Sequence, residues 1–415
     1  MSGLLADFRR FVRERGMNGS CFIVGGTVRD ILAGAAKPKD IDIAMKGRAV
    51  RAARSFAAQA GGTFVLLDER FGTARVVRGD EHMDISRMRG AAIEEDLASR
   101  DITINAMAFP LSSRRLIDPF GGSEDLMKGL VRIVSGENLV QDPLRILRCY
   151  RFAATHGFRI EKGSAAVLEK LAPLLKGPAA ERITDELRKI LAAQGAGRVL
   201  ERMLRDGALR EVLPGFRSAN LAAFRALEGQ RARFFPFHEK LGRAAVEMRF
   251  PLALAVLAAG SGGRALQRLV LSNREKTFME RLSAYRERFR GFFSKGARGA
   301  AFAAVFRDLG DETYAHLIFS YVFLKARDEQ AGQEFLEFSK AVLSHYIKVV
   351  KPRLGRRPIT GEDLKTEFSL KPSPLFKQVL DAVEIRWLKG EVNSRQQALD
   401  AARKIIRSYP PARKA

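Results

Sequence analysis

Two aspartates one residue apart, Asp40 and Asp42, carry the sharpest chemistry in the chain. On a β-strand side chains alternate, so the two carboxylates point to one face. Crowded there, they repel each other unless a cation lies between them. A pair of Mg²⁺ ions roughly 3.5–4 Å apart is the usual arrangement for in-line phosphoryl or nucleotidyl transfer. Just upstream, Gly25-Gly26 ends the apolar run Cys21 to Val24 and stands at a helix start near Thr27. Backbone N–H groups there, with the positive end of the helix dipole, can hold phosphate. Arg29, one turn into that helix, is placed to meet a triphosphate. Each half has a plainer reading: a tight turn for Gly-Gly, a solvated strand end for Asp-x-Asp. Together they fit the logic of nucleotidyl transfer.

A second group of polar residues starts at Gln141 and reads QDPLRILRCYR. Pro143, preceded by Asp142, marks a helix start. Asp142, Arg145, Arg148 and Arg151 then recur every third residue and form one polar ridge. On their Watson–Crick edges, cytosine and adenine offer an amino donor beside a ring-nitrogen acceptor. Uracil and guanine offer the reverse. A carboxylate beside a guanidinium accepts the first pair of bases and rejects the second. Asp142 and Arg145 are those two chemical types, and the plain alternative is a capped surface helix. A third stretch, Arg100-Asp101-Ile-Thr-Ile-Asn105, is polar where a core segment is expected. Arg100 could meet phosphate and Asp101 ribose hydroxyls, or Asp101 caps the next helix and Arg100 pairs with it.

The elements that must position these residues alternate through the first third. A helix from Arg48 to Gly61 follows the Asp-x-Asp strand. Strands are expected at 63–67, 73–77 and 82–86, and a tight turn at Asp118-Pro-Phe-Gly-Gly122. After about Ser135 strand signals fade, and apolar faces recur at helical spacing, as in Pro143 to Phe152, Ala179 to Leu191 and Leu375 to Leu388. Ser394-x-x-Gln397 reads as a capping box for the last helix. The basic stretch Lys348 to Pro358 is the best linker candidate.

A chain of 415 residues exceeds one core, so several domains are expected. Its 72 Lys+Arg against 47 Asp+Glu leave a formal charge of 72 − 47 = +25, which suggests a polyanionic partner such as nucleic acid. A solvated basic surface is the alternative. Cys21 and Cys149 make no disulfide framework and read as buried thiols of a cytosolic protein. The N-terminal stretch is an amphipathic helix rather than a signal peptide, and Phe250 to Gly260 is too short to span a bilayer. Basic runs with aromatics, Arg231 to Phe237 and Arg286 to Phe293, offer arginines for RNA phosphates, with their phenylalanines read as core.

Taken in order, Gly25-Gly26-x-x-Arg29-Asp30, Asp40-x-Asp42, Arg100-Asp101-Ile-Thr-Ile-Asn105-Ala106, Asp118 to Gly122 and Asp142-x-x-Arg145-x-x-Arg148-x-x-Arg151-Phe152 resemble the motifs of the class II tRNA nucleotidyltransferase and bacterial poly(A) polymerase family. Weaker similarity runs on through Glu181-Arg182, Leu213-Pro214 and Ile359 to Leu364. The resemblance implies an α+β fold: a polymerase-β-like nucleotidyltransferase head over residues 1–134, then an all-helical neck (135–200), body (201–300) and tRNA-binding tail (301–415). It implies that Asp40 and Asp42 are catalytic and hold a two-ion Mg²⁺ site. Gly25, Gly26 and Arg29 would meet the triphosphate, Arg100, Asp101 and Asn105 the nucleotide, and Asp142 and Arg145 the base, with Arg148 and Arg151 in support. The implied reaction adds C and A from CTP and ATP to the 3′ end of tRNA and releases pyrophosphate, in the cytoplasm and without a membrane.

The chain departs from the family's pattern in places. Gln141 stands where Glu is usual, and Ser99 where Arg is usual. The interval between Arg87 and Asp96 is only MRGAAIEE, closer to the shortened loop of CC-adding relatives, so CC addition alone is an alternative product. Poly(A) polymerase is another, against which stands the tRNA-enzyme-like segment Arg70 to Val77. A non-catalytic RNA-binding protein is the rival from outside the enzymes. No His-Asp doublet marks a phosphohydrolase domain. Asp84 is a further head carboxylate whose alignment with the other two spacing does not fix.

Overall fold

In a computed structural model, described over residues 3–35, 40–113, 115–229, 239–241 and 243–408, the Asp-x-Asp segment lies inside a six-stranded sheet. Strand β1 (Cys21–Val24) pairs antiparallel with β2 (Asp40–Met45), so Cys21 faces Met45 and Ile23 faces Ile43. β3 (Thr63–Asp68), β4 (Thr73–Arg78) and β5 (Glu81–Arg87) form a meander, and β6 (Ala108–Pro110) closes the far edge in the order β3-β4-β5-β2-β1-β6. The pairing of β2 with β5 is parallel and sets Asp42 directly beside Asp84. β2 alternates aspartate with isoleucine, β1 and β3 are short apolar runs rich in β-branched and aromatic residues, and the three-residue β6 is too short to be read from pattern.

Helices α1 (Gly3–Glu14) and α3 (Ala49–Ala60) cover the sheet. Leu4, Leu5, Phe8, Phe11 and Val12 of α1 meet Phe56 of α3 and Ile41, Ile43, Val76 and Ile85 of the strands in one core. The expected amphipathic N-terminal helix therefore has its apolar stripe buried in the head. Helix α2 (Gly25–Leu32) begins two residues before the expected Thr27. Gly25 has φ +64°, and a Cβ there would stand 2.8 Å from Arg100 Nη1, so backbone and space both require glycine.

Past β5 come α4 (Ile93–Ala98), α5 (Gly122–Lys128), β7 (Leu130–Val131), α6 (Gly136–Gln141), α7 (Leu144–His156), β8 (Arg159–Ile160), α8 (Lys162–Leu171), α9 (Ala180–Ala192) and α10 (Ala196–Arg205). β7 and β8 pair in parallel, so the strand signal does not end at Ser135. Two residues are too few to show an alternation in sequence. The chain forms two compact units, residues 1–215 with 265–270, and residues 216–264 with 271–415. This division leaves head and neck together, and part of the expected body with the tail.

The second unit is built of helices joined by turns, with no strand among its described residues. Lys348 to Pro358 is not a linker: turns of helix at Tyr346–Val350 and Lys351–Arg353 are held by a Lys351–Asp311 ion pair at 2.9 Å and by Trp387 Nε1 donating to the Arg353 carbonyl. The final helix starts at the expected Ser394, whose Oγ accepts from Gln397 N, but the expected capping box is not closed: Gln397 Oε1 accepts from Asn393 N rather than from Ser394 N. Phe289, Phe292 and Phe293 pack on Phe302, Phe335 and Phe338, so these phenylalanines are core; Arg231 to Phe237 lies outside the described residues. No helix among the described residues is long and apolar enough to cross a membrane. Cys21 and Cys149 are both buried and unpaired.

His316 is buried among Phe278, Tyr285 and Phe289, and neither ring nitrogen has a hydrogen-bond partner among the described residues. Burial, with the Arg281 charge adding, pulls its pKa down to about 3. Below the ordinary value near 6.5 the unfolded chain gains a proton that the folded chain refuses. Stability therefore falls as pH drops from about 6.5 toward 3, by at most about 1.4 kcal/mol per pH unit. Thermal melts at pH 7 and pH 5 should show this loss, and His316→Phe should reduce it. An equal pH dependence in the variant would clear His316 of the effect.

Candidate active site

Asp40, Asp42, Gly25, Gly26, Arg29, Arg100, Asp101, Asn105, Asp142, Arg145, Arg148 and Arg151 all line one cleft of about 780 Å³. Nothing in their spacing required this, since they come from β2, α2, the segment after α4, the turn after α6, and α7.

Thr27 fixes the acidic strand. Its hydroxyl donates to the Asp40 carbonyl at 3.2 Å and accepts from the Asp42 N–H at 2.7 Å. Asp40 is exposed and Asp42 is partly buried. Burial pushes the Asp42 carboxyl up, and the Asp84 and Asp40 charges push the same way. Arg100 and the Gly26 N–H oppose them without prevailing. Asp84, beside Asp42 in the sheet, is clamped by Arg75 from β4 through bonds of 2.7 and 2.9 Å. Among the described residues no three acidic, histidine or cysteine side chains converge into a metal cage. The Asp40–Asp42 pair is an incomplete, all-oxygen donor set under mutual repulsion. That fits a hard divalent cation which completes its shell with water and substrate oxygens.

Along the wall of the cleft from Arg29 to Arg148 runs a chain of hydrogen bonds. Arg29 Nη1 donates to Asn105 Oδ1 at 2.9 Å, and Asn105 Nδ2 donates to Asp101 Oδ1 at 3.3 Å. Arg148 Nε closes the chain on Asp101 Oδ2 at 2.7 Å. Burial alone would raise the Asp101 pKa, but Arg148, Asn105 and the Ile102 N–H outweigh it and hold the carboxyl below its usual range. Asp101 is thus an ionised acceptor. Arg100 pairs with Asp96 rather than with Asp101, which removes the cap-and-pair alternative. Asn105 is only 6% exposed and both ends of its amide are engaged, so it orients Arg29 and Asp101.

Around Phe152 of α7 the guanidiniums of Arg29 from α2 and of Arg148 and Arg151 from α7 stand 5.3, 5.8 and 4.0 Å from the ring centre, within cation–π reach. Arg151 also pairs with buried Glu186 of α9 at 2.7 Å. Arg145 Nη1 donates to the Ser99 carbonyl at 2.7 Å and the Asn138 carbonyl at 3.3 Å. Its Nε lies 4.0 Å from Asp142 Oδ2, so carboxylate and guanidinium stand side by side. Asp142 does not cap α7 with its side chain; its oxygens take Arg182 Nη1 and Nη2 at 3.4 and 3.2 Å. Arg182, Asn138, Asp96, Arg75 and the Phe152 ring were not expected in these roles. Arg182 follows Asp142 by forty positions, and no local periodicity links them.

Residues 21–132 match the family model of the poly A polymerase head domain. Residues 157–220 match a model described as the probable RNA and SrmB-binding site of polymerase A. A CC-adding tRNA nucleotidyltransferase of Synechocystis is 31% identical over 404 residues, covering 93% of this chain and 94% of the relative. A CC-adding tRNA nucleotidyltransferase of Geobacter sulfurreducens is 32% identical over 411 residues, covering 91% and 90%. The solved Thermotoga maritima CCA-adding enzyme complexed with tRNA superposes with a TM-score of 0.77 at 25% identity, covering 98% of this chain and 96% of that one.

Proposed function

This chain belongs to the tRNA nucleotidyltransferase and poly(A) polymerase family, and from that membership and the geometry of the cleft we propose that it adds C, and then A, to the 3′ end of tRNA without a template. The observation that carries the reading is the single cleft. It joins a glycine helix start, an Asp-x-Asp pair, an ionised Asp101 and the Asp142–Arg145 pair. The head, neck, body and tail division given above is part of the same proposal.

In this reading Gly25, Gly26 and Arg29 bind the triphosphate, and Asp101 takes the ribose hydroxyls. Asp142 and Arg145 read the amino and ring-nitrogen positions of C or A. Asp40 and Asp42 would hold divalent cations, Mg²⁺ by the hardness of their oxygens, which supply charge stabilisation for the attacking and leaving oxygens. The tRNA 3′-hydroxyl gives its proton to solvent water, and its oxygen bonds to the α-phosphorus while the bond to pyrophosphate breaks. The protein's own part is to hold these groups in line. Purified protein incubated with tRNA ending before CCA, and with each labelled NTP in turn, should incorporate C. Labelling by UTP or GTP as strong as by CTP would sink the reading.

A specific observation favours a second product. The interval between Arg87 and Asp96 is short, and both full-length relatives above are named CC-adding enzymes. A is larger than C, so the base pocket must rearrange after the second C, and a short tethered segment limits that movement. If it restricts the enzyme, tRNA ending in CC plus ATP alone will give no product; efficient A addition in that assay would leave the full CCA reading.

The RNA side is electrostatic. Arg159 of β8 and Arg198, Arg202 and Arg205 of α10 line a pocket of about 260 Å³. Arg159, Arg198 and Arg205 form no ion pair among the described residues. Spaced four and three apart, the α10 arginines share one helix face. Affinity for tRNA should fall steeply with salt. Arg198→Ala with Arg205→Ala should lower the log–log slope by about 2, near 0.9 for each phosphate that is no longer neutralised. An unchanged slope would remove this pocket from the RNA surface.

A further inference from the structure

Asp96 is 6% exposed, and its two oxygens do different things. Oδ1 accepts the Arg89 N–H at 2.9 Å and so closes the turn between β5 and α4. Oδ2 accepts both Nε and Nη2 of Arg100, at 3.2 and 2.9 Å. The remaining terminal nitrogen of Arg100, Nη1, donates to the Asn105 carbonyl at 3.2 Å. That same atom lies 2.8 Å from where a Cβ on Gly25 would stand. Arg100 is thereby aimed at the corner made by Gly25 and Asp42, and its charge is the largest that lowers the Asp42 pKa.

An arginine left to itself samples many rotamers, and fixing it costs side-chain entropy. A buried carboxylate gripping Nε and Nη2 meets that cost before substrate arrives. We propose that Asp96 is a positioning residue for nucleotidyl transfer: it locks Arg100 against the Gly25–Asp42 corner, where triphosphate charge must be met. The same carboxylate ties that cation to closure of the 88–92 turn. The proposal rests on reading the cleft as a nucleotide site. An ordinary i,i+4 helix pair on an exposed face would add little and leave the cation mobile. Here Asp96 shows only 8% of its side chain to solvent and Arg100 only 23%. Asp96→Asn keeps the shape but cannot serve both loads. If its oxygen takes the Arg89 N–H, its NH₂ faces the guanidinium, donor against donor, and Arg100 must swing away.

The test is a double-mutant cycle in steady-state kinetics on tRNA ending before CCA. It compares wild type, Asp96→Asn, Arg100→Gln and the double variant. Asp96→Asn should raise KM for CTP and lower kcat, with a combined loss of about ten- to a hundredfold, while KM for tRNA stays within about twofold. In the Arg100→Gln background the same change should add almost nothing, because its effect runs through Arg100. An equal loss in both backgrounds, or no loss in wild type, would overturn the proposal. If Asp96→Asn does not fold by thermal melt, Asp96→Glu, which keeps the charge and moves it by one methylene, carries the same cycle. Wild type that incorporates no nucleotide would overturn the reading of the cleft, and the proposal with it; an active wild type with an additive cycle would overturn the role of Asp96 alone.

Discussion

Asp42→Ala will leave a folded, tRNA-binding protein that incorporates nucleotide at least about a thousandfold more slowly, as the loss of several kcal/mol of charge stabilisation requires. The fold does not depend on this carboxylate. Its backbone N–H is held by Thr27 Oγ, and Ile41 and Ile43 on either side remain in the core. Burial and the Asp84 and Asp40 charges already work against ionised Asp42. Removing it relieves repulsion, so the melting temperature should hold or rise. That combination separates a metal-holding carboxylate from a structural one, whose loss would lower stability and activity together. Asp40→Ala should lose activity to a similar degree, since one carboxylate cannot hold two cations. Single-turnover incorporation of CMP, measured with tRNA in excess over its Kd, excludes a binding defect as the cause. Turnover near the wild-type rate in either variant would remove the metal assignment.

The residues that line the cleft were legible because each announces itself locally. Asp-x-Asp needs only a strand, Gly25-Gly26 only a helix start, and the Asp142 to Arg151 ridge only a period of three. The partners that hold them were not legible, because they are set by tertiary placement. Asp96 is an ordinary helix acid in sequence, and only the fold sets its carboxylate between the Arg89 N–H and Arg100. Arg182 sits on an ordinary amphipathic helix and becomes part of the site only because α9 places it over Asp142. Asn105, which the resemblance places at the nucleotide, lines the cleft with both ends of its amide engaged by Arg29 and Asp101, a pairing no local pattern shows. Lys348 to Pro358 misled as a linker, since basic and proline-containing composition says nothing of the Asp311 and Trp387 partners that order it.

Base choice gives the second large effect, and Arg145→Lys isolates it. The lysine keeps the positive charge and can still reach a carbonyl, but it loses the planar fork that presents one donor beside the Asp142 acceptor. In the wild type Arg145 is pinned by the Ser99 and Asn138 carbonyls, and only 13% of its side chain is exposed. Its direction is therefore fixed before a base arrives. Asp142 is held less firmly, since Arg182 is 55% exposed and such a pair is worth about 0–1 kcal/mol. An incoming amino group can displace or share that partner at small cost. A wrong base would instead set acceptor against acceptor and donor against donor. Each unpaired polar group costs about 1–3 kcal/mol, so the wild type should prefer CTP over UTP by about tenfold to a hundredfold or more. Arg145→Lys should lose most of that ratio, with tRNA affinity nearly unchanged because phosphates meet other residues. Arg182→Ala should leave the ratio within a few fold, as expected for a displaceable surface partner. The measurement is kcat/KM for CTP and for UTP in the three proteins. If Arg145→Lys stays active with an unaltered ratio, Arg145 serves only to tie α7 to the Ser99 and Asn138 carbonyls, and the base must be read by another pair.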